Sequence, residues 1–109
     1  MALTYGKQFA SQELSDSASA LFTLDSGNIR NMTILLVNHT GSAVTVTGHV
    51  VPSGGSVANS NIFMDATSLA ASERLEVNIP QISSGDSLQM FASAASSITA
   101  HDLDSLVRT

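Results

Sequence analysis

The sequence predicts an all-β protein, a single antiparallel β-sandwich that is jelly-roll-like and has seven or eight short strands. Three observations lead to this fold class. Between residues 20 and 107, short runs alternate apolar with polar residues, which is the period of a strand with one buried face. Clusters of Gly, Asn, Ser and Pro separate these runs at the short spacing typical of sandwiches and jelly rolls. No segment carries the apolar stripe of an amphipathic helix.

The strands follow from this alternation. Met32, Ile34 and Leu36 share one face of a strand at residues 29–37. Its other face is also partly apolar, so this strand is predicted to be central. The other predicted strands cover residues 20–24, 43–51, 73–79, 88–92 and 98–107, with a short apolar run at 62–64.

The segments between the strands are read from turn chemistry. Residues 52–61 are predicted to be a loop, because Pro52 cannot donate to a strand ladder and Gly and Ser follow it. Residues 65–71 have room for one helical turn. Asp102 and Asp104 are expected at the solvated end of the last strand.

Residues 1–19 lack a clear period and are predicted to form an extended N-terminal arm, whereas residues 20–109 form the β-sandwich domain. The arm carries a few apolar side chains in a polar stretch. A frayed terminus is one interpretation, and the other is that these side chains are anchors that dock on a neighbouring subunit. Phe91 points away from the core face of its strand and is added to this set. The predicted interface residues are Tyr5, Phe9, Leu14 and Phe91.

The composition excludes several classes of function. Charged residues are 12% of the chain, against about 25% in ordinary soluble proteins, and Ser and Thr make up about a quarter of it. The net charge is −5 and the four basic residues are scattered, so direct nucleic-acid binding is not expected. Cysteine is absent, which suits a protein made in a reducing cytoplasm. Neither a signal peptide nor a membrane-spanning run is apparent.

Residues that could carry chemistry are few. His49 and His101 lie on the polar faces of their predicted strands, and a pairing across a sheet would offer a metal site. The favoured interpretation of both is a solvent-facing or interface histidine. Asp102 and Asp104 are interpreted as solvated carboxylates, because a calcium site needs more oxygen ligands. We therefore predict no catalytic, cofactor-binding or metal-binding residue, no cofactor, and no enzymatic activity.

Carbohydrate binding is the alternative from another functional class. Sugar-binding sandwiches present exposed aromatic platforms, and this chain has no Trp, one Tyr and four Phe. The candidate platforms are Tyr5, Phe9 and Phe91.

Several sequence segments, taken in order, carry a family resemblance. LVNHTGSAVTV at residues 36–46 leads into VVPSGGS at 50–56, and LAASE follows at 69–73. ISSGDSLQ and ASAASSITAH complete the series, at 82–89 and 92–101. This order resembles a family of small β-sandwich virion proteins of tailed bacteriophages, over roughly residues 30–103. Ser84 departs from the family pattern, which often has Ala or Glu-Ala before Gly-Asp.

The resemblance implies a structural role in the virion and supplies no catalytic residue. The expected function is a noncatalytic capsid decoration or cement subunit that stabilises the head by subunit packing. The expected partners are further copies of the chain, with a trimer favoured, and the major capsid protein or other virion proteins, without nucleic acid or membrane. The expected location is the virion, after synthesis in the host bacterial cytoplasm. A neck, tail or fibre-associated component and a carbohydrate-binding module that aids adsorption remain open as alternatives.

Overall fold

A computed structural model describes the backbone of residues 3–5 and 8–108. Side chains are described for residues 8–108 except Asn31, Asp104 and Leu106. Ten strands lie in this part of the chain: β1 Leu3–Tyr5, β2 Gln12–Glu13, β3 Ser19–Thr23, β4 Asn28–Asn38, β5 Val44–Val51, β6 Ile62–Leu69, β7 Arg74–Asn78, β8 Ile82–Ser83, β9 Ser87–Ala92 and β10 Ile98–Arg108. A single 3₁₀ turn at Asn59–Asn61 precedes β6. No helix in this part is long and apolar enough to cross a membrane.

The strands form two antiparallel sheets. The six-stranded sheet has the order β1-β10-β4-β7, with β2 also pairing with β10 and β8 with β4. The four-stranded sheet has the order β3-β9-β5-β6. The predicted all-β, antiparallel fold class is therefore confirmed, and the arrangement is compatible with a β-sandwich.

Side chains from both sheets form one hydrophobic core. In β4 the even-numbered residues Met32, Ile34 and Leu36 are buried, as the alternation predicted. In β9 Leu88 and Met90 are fully buried. Strand β4 lies between β10 and β7, which confirms its predicted central position.

Strand β6 corrects the prediction for residues 65–71. These residues contain no helical turn, because Ile62–Leu69 pairs with β5 as one continuous strand. A bulge interrupts the pairing, and Ala66 there has φ 43°. The Oγ1 of Thr47 accepts a hydrogen bond from the Ala66 N–H at 3.1 Å. Pairing across the sheet thus decides the structure of a segment whose local sequence is ambiguous.

Gly48 shows how β5 and β6 fit together. A Cβ at this position would lie 2.7 Å from the Cζ of Phe63 and 3.2 Å from the Cε of Met90. The ring of Phe63 is half-buried and packs against the core. The ring and the methionine therefore occupy the space that a larger residue at position 48 would need.

The predicted N-terminal arm is not confirmed for residues 8–19. Phe9 and Leu14 are buried in the core of their own chain rather than presented to a neighbour. The ring of Phe9 stacks on Phe22 with centroids 5.9 Å apart. The Leu14 N–H donates to the Ile98 carbonyl of β10, and Ser15 O accepts from the Ala92 N–H of β9. This segment therefore bridges the two sheets, and burial of its apolar side chains explains why it does not extend away.

Strand β10 also departs from expectation. Asp102, predicted to be solvated, is 1% exposed. A bulge between Asp102 and Asp104 changes which residues face inward, so that Ser105 and Val107 continue the buried face and Leu103 points to solvent.

Candidate interaction surfaces

The outer surface of the six-stranded sheet is built from β4 and β10. We define the β4–β10 face as Thr33, Leu35, Val37, Thr99, His101 and Leu103. Val37 lies opposite Thr99, and Leu35 lies opposite His101. Leu103, on the bulge, is 47% exposed. Among the described side chains, the face is therefore a mixture of aliphatic and hydroxyl groups, with His101 as its one titratable group.

Charged side chains are placed at the margins of this face. Glu13 of β2 lies opposite Thr99. On the other side, Arg74 and Glu76 of β7 lie opposite Val37 and Leu35. Removal of aliphatic groups from water is favourable, and removal of hydroxyl groups costs less free energy than removal of charges. A surface with this arrangement is therefore suited to contact with protein.

The outer surface of the four-stranded sheet is the second candidate. We define the β5–β9 face as Thr45, Thr47, Gln89 and Phe91. Phe91 is half-buried and lies opposite Thr47. Its direction, away from the buried Met90 and Ala92, is as predicted.

Two other predicted interface residues, Phe9 and Tyr5, are not among the described side chains that form these two faces. Phe9 is in the core and offers no aromatic platform on the described surface. Tyr5 contributes its backbone to β1, opposite Leu106, but its side chain lies outside the described residues.

The two histidines considered for a metal site do not meet. His101 belongs to β10 of the six-stranded sheet, and His49 belongs to β5 of the four-stranded sheet. Within the described residues, no group of three or more His, Cys, Asp or Glu could hold a metal ion.

His49 is buried beneath the loop that follows β5, which corrects the expectation of a solvent-facing or interface residue. Its Nδ1 lies 2.8 Å from Oδ1 of Asn61. An amide oxygen only accepts hydrogen bonds, so Nδ1 is the donor. The same Oδ1 accepts from the Ala58 N–H, and the Asn61 amide donates to Ser56 O. Asn61 therefore holds the loop against β5, and the role of His49 here is structural.

His101 has one polar contact that resembles a nucleophile and base. Its Nδ1 lies 2.7 Å from the Oγ of Ser11, on an exposed part of the β4–β10 face. A hydrolytic triad needs a third group that orients the imidazole and donors that stabilise an oxyanion. Among the described side chains, no hydrogen bond orients the other ring nitrogen. We interpret the pair as a surface contact that holds residue 11 against β10.

One groove lies beside the N-terminal segment. It has a volume of about 300 Å³ and is lined by Gln8, Phe22, Leu24, Asp25 and Val107, together with Thr23 and Ser26. Among the described residues of this lining, Asp25 is the one ionisable side chain. The described part of the lining therefore does not contain the converging titratable groups that would suggest catalysis.

Asp102 is a polar site that the sequence did not reveal. Its Oδ2 accepts hydrogen bonds from the Gln8 N–H at 2.6 Å and from the Ser105 hydroxyl at 3.2 Å. Its Oδ1 is buried and has no hydrogen-bond partner among the described residues. This carboxylate attaches the start of the N-terminal segment to the last strand.

We expect Asp102→Ala to lower the free energy of unfolding by about 2 kcal/mol, because the Gln8 N–H loses its acceptor. Hydrogen exchange of residues 8–14 should accelerate. Asp102→Asn should cost less, because one amide oxygen can replace Oδ2 as the acceptor. Urea denaturation and hydrogen-exchange mass spectrometry measure both effects. Equal losses in the two variants, or unchanged exchange at residues 8–14, would contradict this role.

Asn38 was also missed as a structural residue, and it is fully buried at one end of the molecule. Its Nδ2 is within hydrogen-bond distance of three carbonyl oxygens, which share its two N–H groups, and its Oδ1 accepts from the N–H and hydroxyl of Thr40. The three carbonyls belong to Ser42, Leu69 and Ala70. An Asn two residues before a Thr is a known turn signal, but the sequence does not show that the amide reaches a second loop.

Comparison of the chain with protein-family models, with curated proteins and with solved structures found no match. What the fold and surfaces define is a class, an all-β protein of two antiparallel sheets whose outer faces carry hydroxyl and aliphatic side chains.

Proposed function

We propose that this protein is a noncatalytic structural subunit of a bacteriophage virion, specifically a capsid decoration or cement protein. In this role it stabilises the head by packing against the major capsid protein and against further copies of itself. We also infer a jelly-roll topology. The orders β1-β10-β4-β7 and β3-β9-β5-β6 support it, and double-sheet jelly rolls occur in viral capsid proteins and in lectins.

The observation that carries the proposal is the β4–β10 face. Its aliphatic residues Leu35, Val37 and Leu103 are half-buried or exposed, and they are not members of the hydrophobic core between the sheets. Threonines separate them, and the charged side chains described beside this face, those of Glu13, Arg74 and Glu76, belong to strands at its margins. A face of this composition favours binding to another protein surface over solvation alone.

Two of the segments that carry the family resemblance form turns that lie against each other. In the VVPSGGS segment, the Gly55 N–H donates to Pro52 O, and Gly54 has φ 76°. In the SSGDS segment, Gly85 has φ 89°, and a Cβ there would lie 2.8 Å from the Cβ of Ser53. The two turns are therefore in contact, which gives a physical reason for their occurrence together.

Particles from a phage that encodes the protein test the proposal. Particles that lack the gene product should lose heat resistance, and addition of the purified protein should restore it. Leu35→Lys, on the β4–β10 face, should abolish restoration because it places a charge in the contact. Thr45→Lys, on the β5–β9 face, is the matched control and should restore as the wild type does.

Circular dichroism must first show that both variants are folded. Equal heat resistance with and without the protein would contradict the decoration role. Restoration by Leu35→Lys would contradict the assignment of the surface. Binding on a glycan array by the purified protein would favour the carbohydrate-binding alternative instead.

A further inference from the structure

Strand β7 forms a regular edge of the six-stranded sheet. It pairs with β4 over five consecutive residues without a bulge. On its other side, no strand among the described residues pairs with it. An edge of this kind presents backbone N–H and C=O groups that can pair with another strand.

The hydrogen-bond register identifies which groups are presented. The Asn38 N–H donates to Glu73 O, and the Ile79 N–H donates to Met32 O. In an antiparallel ladder, alternate residues point their backbone groups to the same side. Residues 73, 75, 77 and 79 therefore point toward β4, and residues 74, 76 and 78 point outward.

The other edges of the described sheets are less regular. Strand β6 has its bulge at Ala66, and β3 has a register shift between Ala20 and Phe22. At the far side of the six-stranded sheet, β1 and β2 are three and two residues long. Bulges and short strands are the usual means of preventing edge pairing. Strand β7 lacks both.

We propose that β7 binds β7 of a second copy of this chain, antiparallel and centred on Leu75. In this register Arg74 lies opposite Glu76 of the second copy, and the two residues exchange both backbone hydrogen bonds because both point outward. Leu75 lies opposite its own equivalent. This dimer is the contact between copies of the chain that the proposed function includes. It rests on that self-association alone and not on binding to the capsid protein.

Charge and burial select this register. Charged side chains on an edge strand commonly prevent pairing, but here the two signs are placed so that a second copy complements them. A register centred on Glu76 would bring two carboxylates opposite each other, and such like-charge pairs are destabilising. Leu75 and Val77 are only half-buried at the margin of the core. The second Leu75 would cover this remaining apolar surface.

The contact is isologous, with a two-fold axis through Leu75, so it produces a dimer. This dimer differs from the trimer that is expected from the family resemblance. Sedimentation equilibrium of the full chain should therefore give a mass twice the 11.3 kDa of one chain.

Charge reversal provides the test. Glu76→Arg or Arg74→Glu alone places like charges opposite each other, and should weaken dimerisation by about tenfold or more. The double variant Arg74→Glu with Glu76→Arg restores opposite charges and should dimerise as the wild type does. Melting followed by circular dichroism checks that all three variants fold.

A wild type that stays monomeric or forms a trimer would overturn the proposal. So would single variants that dimerise normally, or a double variant that does not recover. A monomer that nevertheless restores heat resistance to phage particles would overturn the β7 contact and leave the decoration role standing. A β7 dimer without any effect on the heat resistance of particles would overturn the decoration role and leave the β7 contact standing.

Discussion

Replacing Asn38 with alanine is expected to lower the free energy of unfolding by about 3 to 4 kcal/mol. The side chain is fully buried and makes five hydrogen bonds, to the backbone of Ser42, Leu69 and Ala70 and to two groups of Thr40. Alanine would leave buried carbonyl groups without donors, and each such group costs about 1 to 3 kcal/mol. The effect is large because one amide connects two loops that are distant in sequence.

Two further variants make the Asn38 experiment specific. Asn38→Asp has nearly the same shape but cannot donate to the three carbonyls, so it should be at least as destabilising as alanine at neutral pH. Asn59→Ala, at an exposed turn, should change stability by less than about 0.5 kcal/mol. Urea denaturation measures all three. A loss below about 1 kcal/mol for Asn38→Ala would show that these hydrogen bonds do not hold the loops.

Phe9→Ala is expected to cost about 3 kcal/mol, the usual range for removal of a buried aromatic ring. Phe9 is 6% exposed and stacks on Phe22. If residues 8–19 were an arm that docks on a neighbour, the same substitution would leave the stability of the isolated chain unchanged. The experiment therefore decides directly between the arm predicted from the sequence and the packed segment of the structure.

The appropriate control for Phe9→Ala is Phe91→Ala. Phe91 is also aromatic but is half-buried on the outer β5–β9 face, so its removal should cost clearly less. Thermal melts at low protein concentration keep self-association out of the measurement. No loss of stability for Phe9→Ala, or a loss as small as that expected for the half-buried Phe91, would show that the N-terminal segment does not belong to the core.

Alternation was sufficient to predict the regular strands. The buried faces of β9 and of β4 from Met32 to Leu36 follow directly from a period of two, because these stretches pair without a shift with β5 and β7. Strand β10 shows the limit of this reasoning. Its bulge after Asp102 changes the inward-facing residues from even to odd numbers. Nothing in the local sequence marks that change. Asp102 itself precedes the bulge and shares the even-numbered buried face with Ile98 and Ala100, so the solvated position predicted for it follows from its charge and not from the period.

The candidate surfaces were predicted only in part. The partly apolar outer face of β4 was visible from Leu35 and Val37, and the direction of Phe91 was correct. Phe9 and Leu14 are predicted interface residues because residues 1–19 lack a clear period and carry spaced apolar side chains. Their burial depends on contacts with both sheets, including the hydrogen bond from Leu14 to Ile98, and such contacts cannot be derived from a local pattern. The β7 edge likewise required the strand order.

Quantitative mass spectrometry of purified phage particles tests the central claim most directly. A decoration subunit occupies sites repeated by the symmetry of the head. The account therefore predicts copy numbers on the order of hundreds, comparable with the number of capsomers. A dozen copies or fewer would place the protein at the neck, tail or fibres and contradict the decoration role. Its absence from intact particles would contradict a structural function in the virion altogether.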